Sequence, residues 1–192
     1  TAYADAIGKV AESHWWNPHE LEALKDMRIT TPVCIGGTNW SVDVFKLAVL
    51  MRTADAAHID AKRAPKFLKA LIKPGGISSL HWNYQLHLNQ VSLDVGRGEL
   101  RITGSPFDKN ETDEWWLAYD SAVLVNNELN AADRLLREHG RERLAARSVA
   151  LVYDPESFVK NVPTAGWRPV DTSIKISDIQ LVVERFGGDK LY

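Results

Sequence analysis

Residues 47–65, LAVLMRTADAAHIDAKRAP, join an apolar helical segment to six charged or titratable side chains and so decide the fold of the first part of the chain. Apolar residues recur there every three or four positions, which predicts an amphipathic helix. The stripe that we assign to the core consists of Val44, Leu47, Ala48, Met51 and Ala54, and Asp55 extends it. A buried carboxylate is costly unless a cation, donors or a metal satisfy it, and Arg52 lies one turn earlier as a salt-bridge candidate.

A basic cluster follows this helix. Lys62, Arg63 and Lys66 precede or open a second helix, which we predict over residues 67–72 because Pro65 suits a helix start. Cationic side chains and free backbone N–H groups at a helix start could bind an anion such as a nucleotide phosphate, with Arg52 as a fourth candidate. A solvated basic face is the alternative.

The segments before the 47–65 stretch predict two short helices and a loop. The first helix should run from Tyr3 to Trp16, and the second should start at Asn17-Pro18 with Glu20 as its capping-box residue. Residues 28–40 contain one proline and a glycine pair, so we expect a loop that brings Ser41 into position as the N-cap of the long helix.

Residues from 73 onward have a different pattern. Alternating apolar residues over 84–88 and 91–95 predict strands, and residues 96–98, Gly-Arg-Gly, predict a hairpin turn into a further strand. A long helix should span 111–139 and end at Gly140. We expect a strand over 148–153, a short helix from Pro155, a strand over 173–176 and a last helix over 179–186. The predicted fold class is α+β, with a helical part over 1–73 and a small, mainly antiparallel sheet with helices on one face over 74–192.

Composition narrows the classes of function. The chain has 192 residues, 45% of them hydrophobic, which suffices for a core. A formal net charge of −2 lacks the basic footprint of a nucleic-acid-binding domain. Cys34 is the only cysteine, which excludes an internal disulfide and a cysteine-based zinc site and favours a cytoplasmic location. No apolar run approaches 18 residues, so we expect no membrane partner.

The segment Leu-Ala-x-Leu-x-Arg-x-Ala-Asp at 47–55 resembles the last metal-site helix of the HD phosphohydrolase superfamily, in which the aspartate is a metal ligand. His14 stands where some HD proteins carry a pair of histidines, although Trp15 occupies the second position here. The resemblance implies a divalent metal ion held by Asp55 and His14; otherwise His14 is a core histidine bonded to a carboxylate or backbone group. A complete HD site also needs an adjacent His-Asp pair, and this chain contains no His-Asp dipeptide.

A longer resemblance covers most of the chain. The segments AHIDAKRAP (57–65), SSLHW (78–82), DEWWLAYD (113–120) and GWRPVDTSIKISDIQLVVERFGGDKLY (166–192) resemble the HD-like module that precedes a histidine-kinase/chaperone-type (GHKL, Bergerat-fold) ATPase in large bacterial proteins. This resemblance implies a regulatory or sensory domain that couples a nucleotide, phosphoester or partner event to a downstream ATPase. Because the chain starts at Thr1, we expect it to be an excised middle piece.

Two alternatives stay open. Upstream His-Asp residues would complete a metal-dependent phosphohydrolase acting on a nucleotide or another phosphoester. A structural protein-interaction module is the second alternative, because seven tryptophans are many for a chain of this length. The interaction module predicts exposed aromatic patches.

Overall fold

The computed structural model describes residues 2–30 and 40–170, which adopt an α+β fold. Cys34, the strand predicted over 173–176 and the helix predicted over 179–186 lie outside the described residues. None of the described helices combines the length and the apolar character needed to cross a membrane. The α-helices are α1 (Ala2–Glu12), α2 (Val44–Ala57), α3 (Lys66–Ile72), α4 (Ile77–His87), α5 (Thr112–Glu138) and α6 (Pro155–Phe158). The strands are β1 (Arg28–Thr30), β2 (Ser41–Asp43), β3 (Ser92–Asp94), β4 (Glu99–Arg101), β5 (Phe107–Asp108), β6 (Ser148–Val149) and β7 (Thr164–Ala165).

The N-terminal segments fold largely as predicted. After α1 come two 3₁₀ helices, Ser13–Trp15 and Pro18–Leu24, and the second begins with the predicted capping interaction, in which the Glu20 carboxylate accepts the Asn17 N–H at 2.5 Å. The N-cap prediction for Ser41 is wrong. Ser41 lies in β2, which pairs antiparallel with β1, and Asp43 caps α2 by accepting the Lys46 N–H at 3.1 Å.

Helix α2 buries a stripe that shares only Val44 and Ala48 with the one predicted. Its buried side chains are Val44, Phe45, Ala48, Val49 and Thr53. The prediction that Asp55 faces the core is wrong, because the stripe through Phe45 and Val49 buries more apolar volume and turns Asp55 outward. The apolar residues of the predicted stripe at positions 47 and 51 are exposed at the edge of a groove against α1.

Helix α3 starts after Pro65 as predicted, whereas the strand predicted over residues 84–88 is wrong. Residues 84–87 belong to α4, whose only buried side chain is Tyr84, and Leu88 follows the helix as an extended residue that pairs with Gly104. The predicted hairpin is confirmed: β3 pairs antiparallel with β4, and β6 joins β4 in parallel. Of the strand expected over 148–153, only the first two residues form a strand, β6. A further parallel pair, β5 with β7, was not predicted.

Helix α5 confirms the prediction for 111–139 and is the central element of the fold. Its N-terminal side chains from Trp115 to Leu129 enter one hydrophobic cluster with α4, β6 and α6. Its last turns, through Ala132 and Leu136, enter a second cluster with α1 and α2. Gly140, at φ 61°, ends the helix as expected. Since both clusters include α5, the division predicted near residue 73 stays a prediction.

Ion pairs tie the segment after α5 back to the helices. Arg141 Nε lies 2.7 Å from an oxygen of Asp43, which also caps α2. Arg143 binds Asp133 through two hydrogen bonds of 2.5 and 2.7 Å, and this guanidinium holds the pKa of the Asp133 carboxyl below its ordinary value. The segment therefore closes over the end of α5 rather than extending away from it.

Candidate functional site

The end of α2 carries most of the residues that the sequence singles out. Arg63 folds back onto this end, and its guanidinium donates to the carbonyl oxygens of Asp55 and His58 at 3.1 and 3.0 Å. The same guanidinium lies 3.8 Å from the Asp55 carboxylate, whose side chain is 56% exposed. Arg63 thus satisfies carbonyl groups that a helix end leaves without partners.

Arg52 has a different environment. Its guanidinium forms a bidentate pair with Glu128 of α5, at 2.5 and 2.8 Å, and the two side chains are only 14% and 15% exposed. The remaining terminal nitrogen donates to the carbonyl of Trp16 and lies within 3.5 Å of the carbonyls of Ser13 and His14. We call this arrangement the Arg52 clamp, because it joins α2, α5 and the turn after α1. An arginine with these partners has little remaining capacity to hold an external anion.

His14 contacts groups other than Asp55. Its Nδ1 contacts the carbonyl oxygen of Ala11, and its ring packs against Trp15 with the centroids 4.9 Å apart. Within residues 2–30 and 40–170 no ion pair joins His14 to Asp55, and no group of three His, Cys, Asp or Glu side chains is placed to hold a metal ion. Asp55 instead lies near the Arg63 guanidinium, and the Nδ1 of His14 is occupied by the Ala11 carbonyl. The metal ion and the phosphohydrolase activity stay predictions.

The buried carboxylate at this end of α2 belongs to Asp60, which the sequence analysis did not single out as a site residue. Asp60 is 6% exposed, accepts the Lys62 N–H at 2.9 Å and lies 3.9 Å from Nε2 of His58. An aspartate that accepts the N–H two residues later forms an Asx turn, and the sequence His-Ile-Asp-Ala-Lys is compatible with one. That turn directs the chain from α2 toward α3.

The predicted basic cluster is present on the surface. Lys62 donates to the Gln90 side chain at 3.0 Å, while Arg63 and Lys66 are exposed. Lys69 and Lys73 extend the cluster, and no acidic residue occurs between positions 60 and 94. The cluster is thus an accessible cationic surface, in which Arg63 lies near the Asp55 carboxylate, and its binding of an anion stays a prediction.

Helix α3 exposes its apolar side chains to solvent, whereas an ordinary surface helix buries them. Lys66, Lys69 and Lys73 share one side, and the amine of Lys69 donates to Asn83 of α4. The opposite side carries Phe67, 73% exposed, and further exposed apolar residues. These are Leu68, Leu71, Ile72 and, just beyond the helix, Ile77. We call these five side chains the α3 apolar face. Exposed apolar side chains grouped in this way are unusual on a protein surface and are typical of interaction sites.

Comparison with protein families identifies the chain. The model of the HD-CE family matches residues 1–131, which include the Arg52 clamp and the α3 apolar face. The chain belongs to the HD-CE family. The match to HD-CE supports the HD-like domain that the 47–55 segment predicts, and it ends within α5. No curated protein and no solved structure matches the chain.

Proposed function

We propose that this HD-CE domain is a regulatory module of a larger bacterial ATP-binding protein, in which it couples a ligand event to a neighbouring ATPase domain. The observation that carries the proposal is the position of α5. This 27-residue helix is shared by both hydrophobic clusters and is joined to the HD-type helix α2 by the Arg52 clamp. A stiff helix packed at both ends is a physical route by which a change at one end biases the other.

The arginine of the HD-type helix supports a role in coupling rather than in metal chemistry. Arg52 joins α2 to two other segments, α5 and the turn after α1, so a displacement of α2 must move Glu128 or break their bidentate pair. A nucleotide or phosphoester is the ligand class that we propose, because the cationic surface at Lys62, Arg63 and Lys66 lies at the end of this same helix.

The test compares ATP hydrolysis by the intact protein with Glu128→Gln and with a matched control. Arg134→Gln changes one exposed charge on the same helix without touching the clamp. We expect Glu128→Gln to change the regulated hydrolysis rate by about threefold or more, since residues within a coupling network change coupling by roughly 0.5–2 kcal/mol. The control should behave as wild type. Unaltered regulation in the Glu128→Gln protein, with its fold confirmed by circular dichroism, would contradict the proposal.

A protein-interaction module is a second candidate, and the α3 apolar face favours it. The lysines that flank this face indicate a partner whose apolar surface has an acidic rim. Leu71→Glu and Phe67→Glu should abolish association of the domain with the rest of the intact protein in a pull-down between separately expressed parts. Leu124→Glu, an exposed position on α5 outside this face, is the control. Equal association by all three variants would exclude the α3 apolar face as the contact.

A further inference from the structure

A cavity lies beside the parallel pair β4 and β6, away from helix α2. It has a volume of about 480 Å³. Residues 150–153, which directly follow β6, form one wall; Asn126 of α5 and Asn161, just after α6, complete the lining with residues of β4. The cavity thus extends along the short parallel pair, from Arg97 before β4 to the segment that follows β6.

The lining of the cavity is rich in hydrogen-bond donors. Arg97 has no side-chain hydrogen bond or ion pair with any residue in the described ranges. Arg101 has its nearest carboxylate, Asp94, at 3.8 Å, which is beyond hydrogen-bond distance. Only Glu99 contributes a carboxylate to the lining itself. Within the lining itself two guanidinium groups face one carboxylate, and this excess of cationic donors favours a ligand that is rich in acceptors and negatively charged.

Two asparagine amides add to this excess of donors. The Asn126 carbonyl oxygen already accepts the Val149 N–H at 2.9 Å, so its NH₂ group is the part left for a ligand. The Asn161 Nδ2 is buried and has no partner among the described residues. Because a buried donor without a partner is unfavourable, Asn161 indicates an acceptor that the protein itself does not supply.

The rim of the cavity is strained and partly aromatic. Leu151 adopts φ 60°, a left-handed conformation that is sterically unfavourable for a residue with a Cβ, and the adjacent Ala150 N–H is held by the carbonyl of Leu100 at 2.9 Å. Such strain is concentrated at ligand sites and switch regions. The ring of Tyr153, two residues on, is largely exposed and offers a surface on which a planar group can stack.

We propose that this cavity binds a small phosphate ester that carries a planar ring, the chemical class of a nucleoside monophosphate. Arg97 and Arg101 bind the phosphate, and the amides of Asn126 and Asn161 donate to ring acceptors. Asn126 lies on α5, two residues before Glu128 of the Arg52 clamp, so the bound ligand acts on the helix that joins the two clusters. Only this last consequence rests on the proposed regulatory function.

Isothermal titration calorimetry of the full 192-residue chain tests the site, with adenosine 5′-monophosphate as the probe. Arg97→Gln and Arg101→Gln should each weaken binding about tenfold, the effect of losing one charge-assisted hydrogen bond. Arg134→Gln removes the same charge from an exposed position on α5 outside the cavity and should leave the affinity unchanged. Adenosine alone and inorganic phosphate alone should each bind at least about tenfold more weakly than the monophosphate, because each lacks one half of the contacts.

Three outcomes would overturn the proposal. These are the absence of binding at millimolar monophosphate, equal weakening by the Arg134→Gln control, and inorganic phosphate binding as tightly as the monophosphate. Arg101→Lys, which keeps the charge but loses the planar fork, should retain part of the affinity if Arg101 contacts the phosphate. The titration needs no ATPase domain, so its result is independent of the hydrolysis test of the regulatory function.

Discussion

Replacing Arg52 with methionine should destabilise the chain far more than an ordinary surface substitution. The side chains of Arg52 and Glu128 are 14% and 15% exposed, so removing the guanidinium leaves a largely desolvated carboxylate without its partner. Breaking such a pair from one side costs about 3–5 kcal/mol, and the residual exposure places the expected loss near the lower end, at about 3 kcal/mol. The Trp16 carbonyl, which Arg52 also binds, loses its donor as well.

Urea denaturation at pH 7, followed by circular dichroism, measures this loss. Glu128→Met and the double variant complete a double-mutant cycle. We expect the double variant to lose about 2 kcal/mol less than the sum of the single losses, because removing both charges leaves none buried alone. Arg63→Met is the matched control: its partner Asp55 is more than half exposed, so we expect a loss of about 1 kcal/mol or less. The reasoning is refuted if Arg52→Met costs no more than Arg63→Met, or if the losses in the cycle simply add.

Four further predictions concern other parts of the molecule. The Asp133 carboxyl should titrate below its ordinary pKa of 3.8 in an NMR titration and return toward that value in Arg143→Gln. Because the folded-state pKa is lowered, the pair stabilises the fold above the unfolded-state pKa and loses this effect as pH falls through the folded-state pKa. Identical titrations of the two proteins would contradict the pairing. Gly8→Ala should raise the free energy of unfolding by about 0.5–1 kcal/mol, since a Cβ meets nothing within 4 Å in α1. Gly104→Ala should lower the free energy of unfolding by about 1–3 kcal/mol, since its Cβ would lie 2.9 Å from a carbonyl oxygen at the end of α4. Urea midpoints that move in the same direction for Gly8→Ala and Gly104→Ala would contradict both expectations. Asp55→Asn should change stability by less than about 1 kcal/mol, and a loss above 2 kcal/mol in the same assay would restore the buried role that the sequence predicts.

The long helix and the hairpin could be predicted because local signals determine them. Acidic residues at the start of α5, sustained apolar periodicity and Gly140 at its end agree with one another. The Gly-Arg-Gly turn at 96–98 likewise specifies the pairing of β3 with β4. These features depend little on which other segment packs against them.

The errors arise where packing decides between two local solutions. Residues at 84, 86 and 88 alternate as in a strand, yet the first two lie in α4, which packs along α5, and only Leu88, just beyond the helix, is extended and pairs with Gly104. Helix α2 has two apolar stripes, and the one through Phe45 and Val49 is buried because α5 and the preceding turn cover it. The orientation of Asp55 follows from that choice, which the sequence of α2 alone does not contain.

The same distinction applies to the candidate site, whose local features could be predicted from the sequence and whose tertiary contacts could not. The sequence locates helix α2 and its charged end, and the HD-CE match over residues 1–131 supports the HD-like domain that this segment predicts. It does not reveal that Arg52 is bound to Glu128, because the partner lies 76 positions away. Nor does it reveal the cavity beside β4 and β6, because Asn126 and Asn161 are brought to its lining only by the packing of α5 and α6.

Hydrogen–deuterium exchange along α5 tests most directly the claim that this helix couples the two hydrophobic clusters. The comparison is between the wild-type chain and Arg52→Gln, in which the clamp is broken near the middle of the helix. If α5 acts as one unit, amide protection should fall by a similar factor from Trp115 to Leu136, with Arg134→Gln unchanged. A loss of protection confined to the turns around Glu128, with the turn at Trp115 retaining wild-type protection, would contradict the coupling.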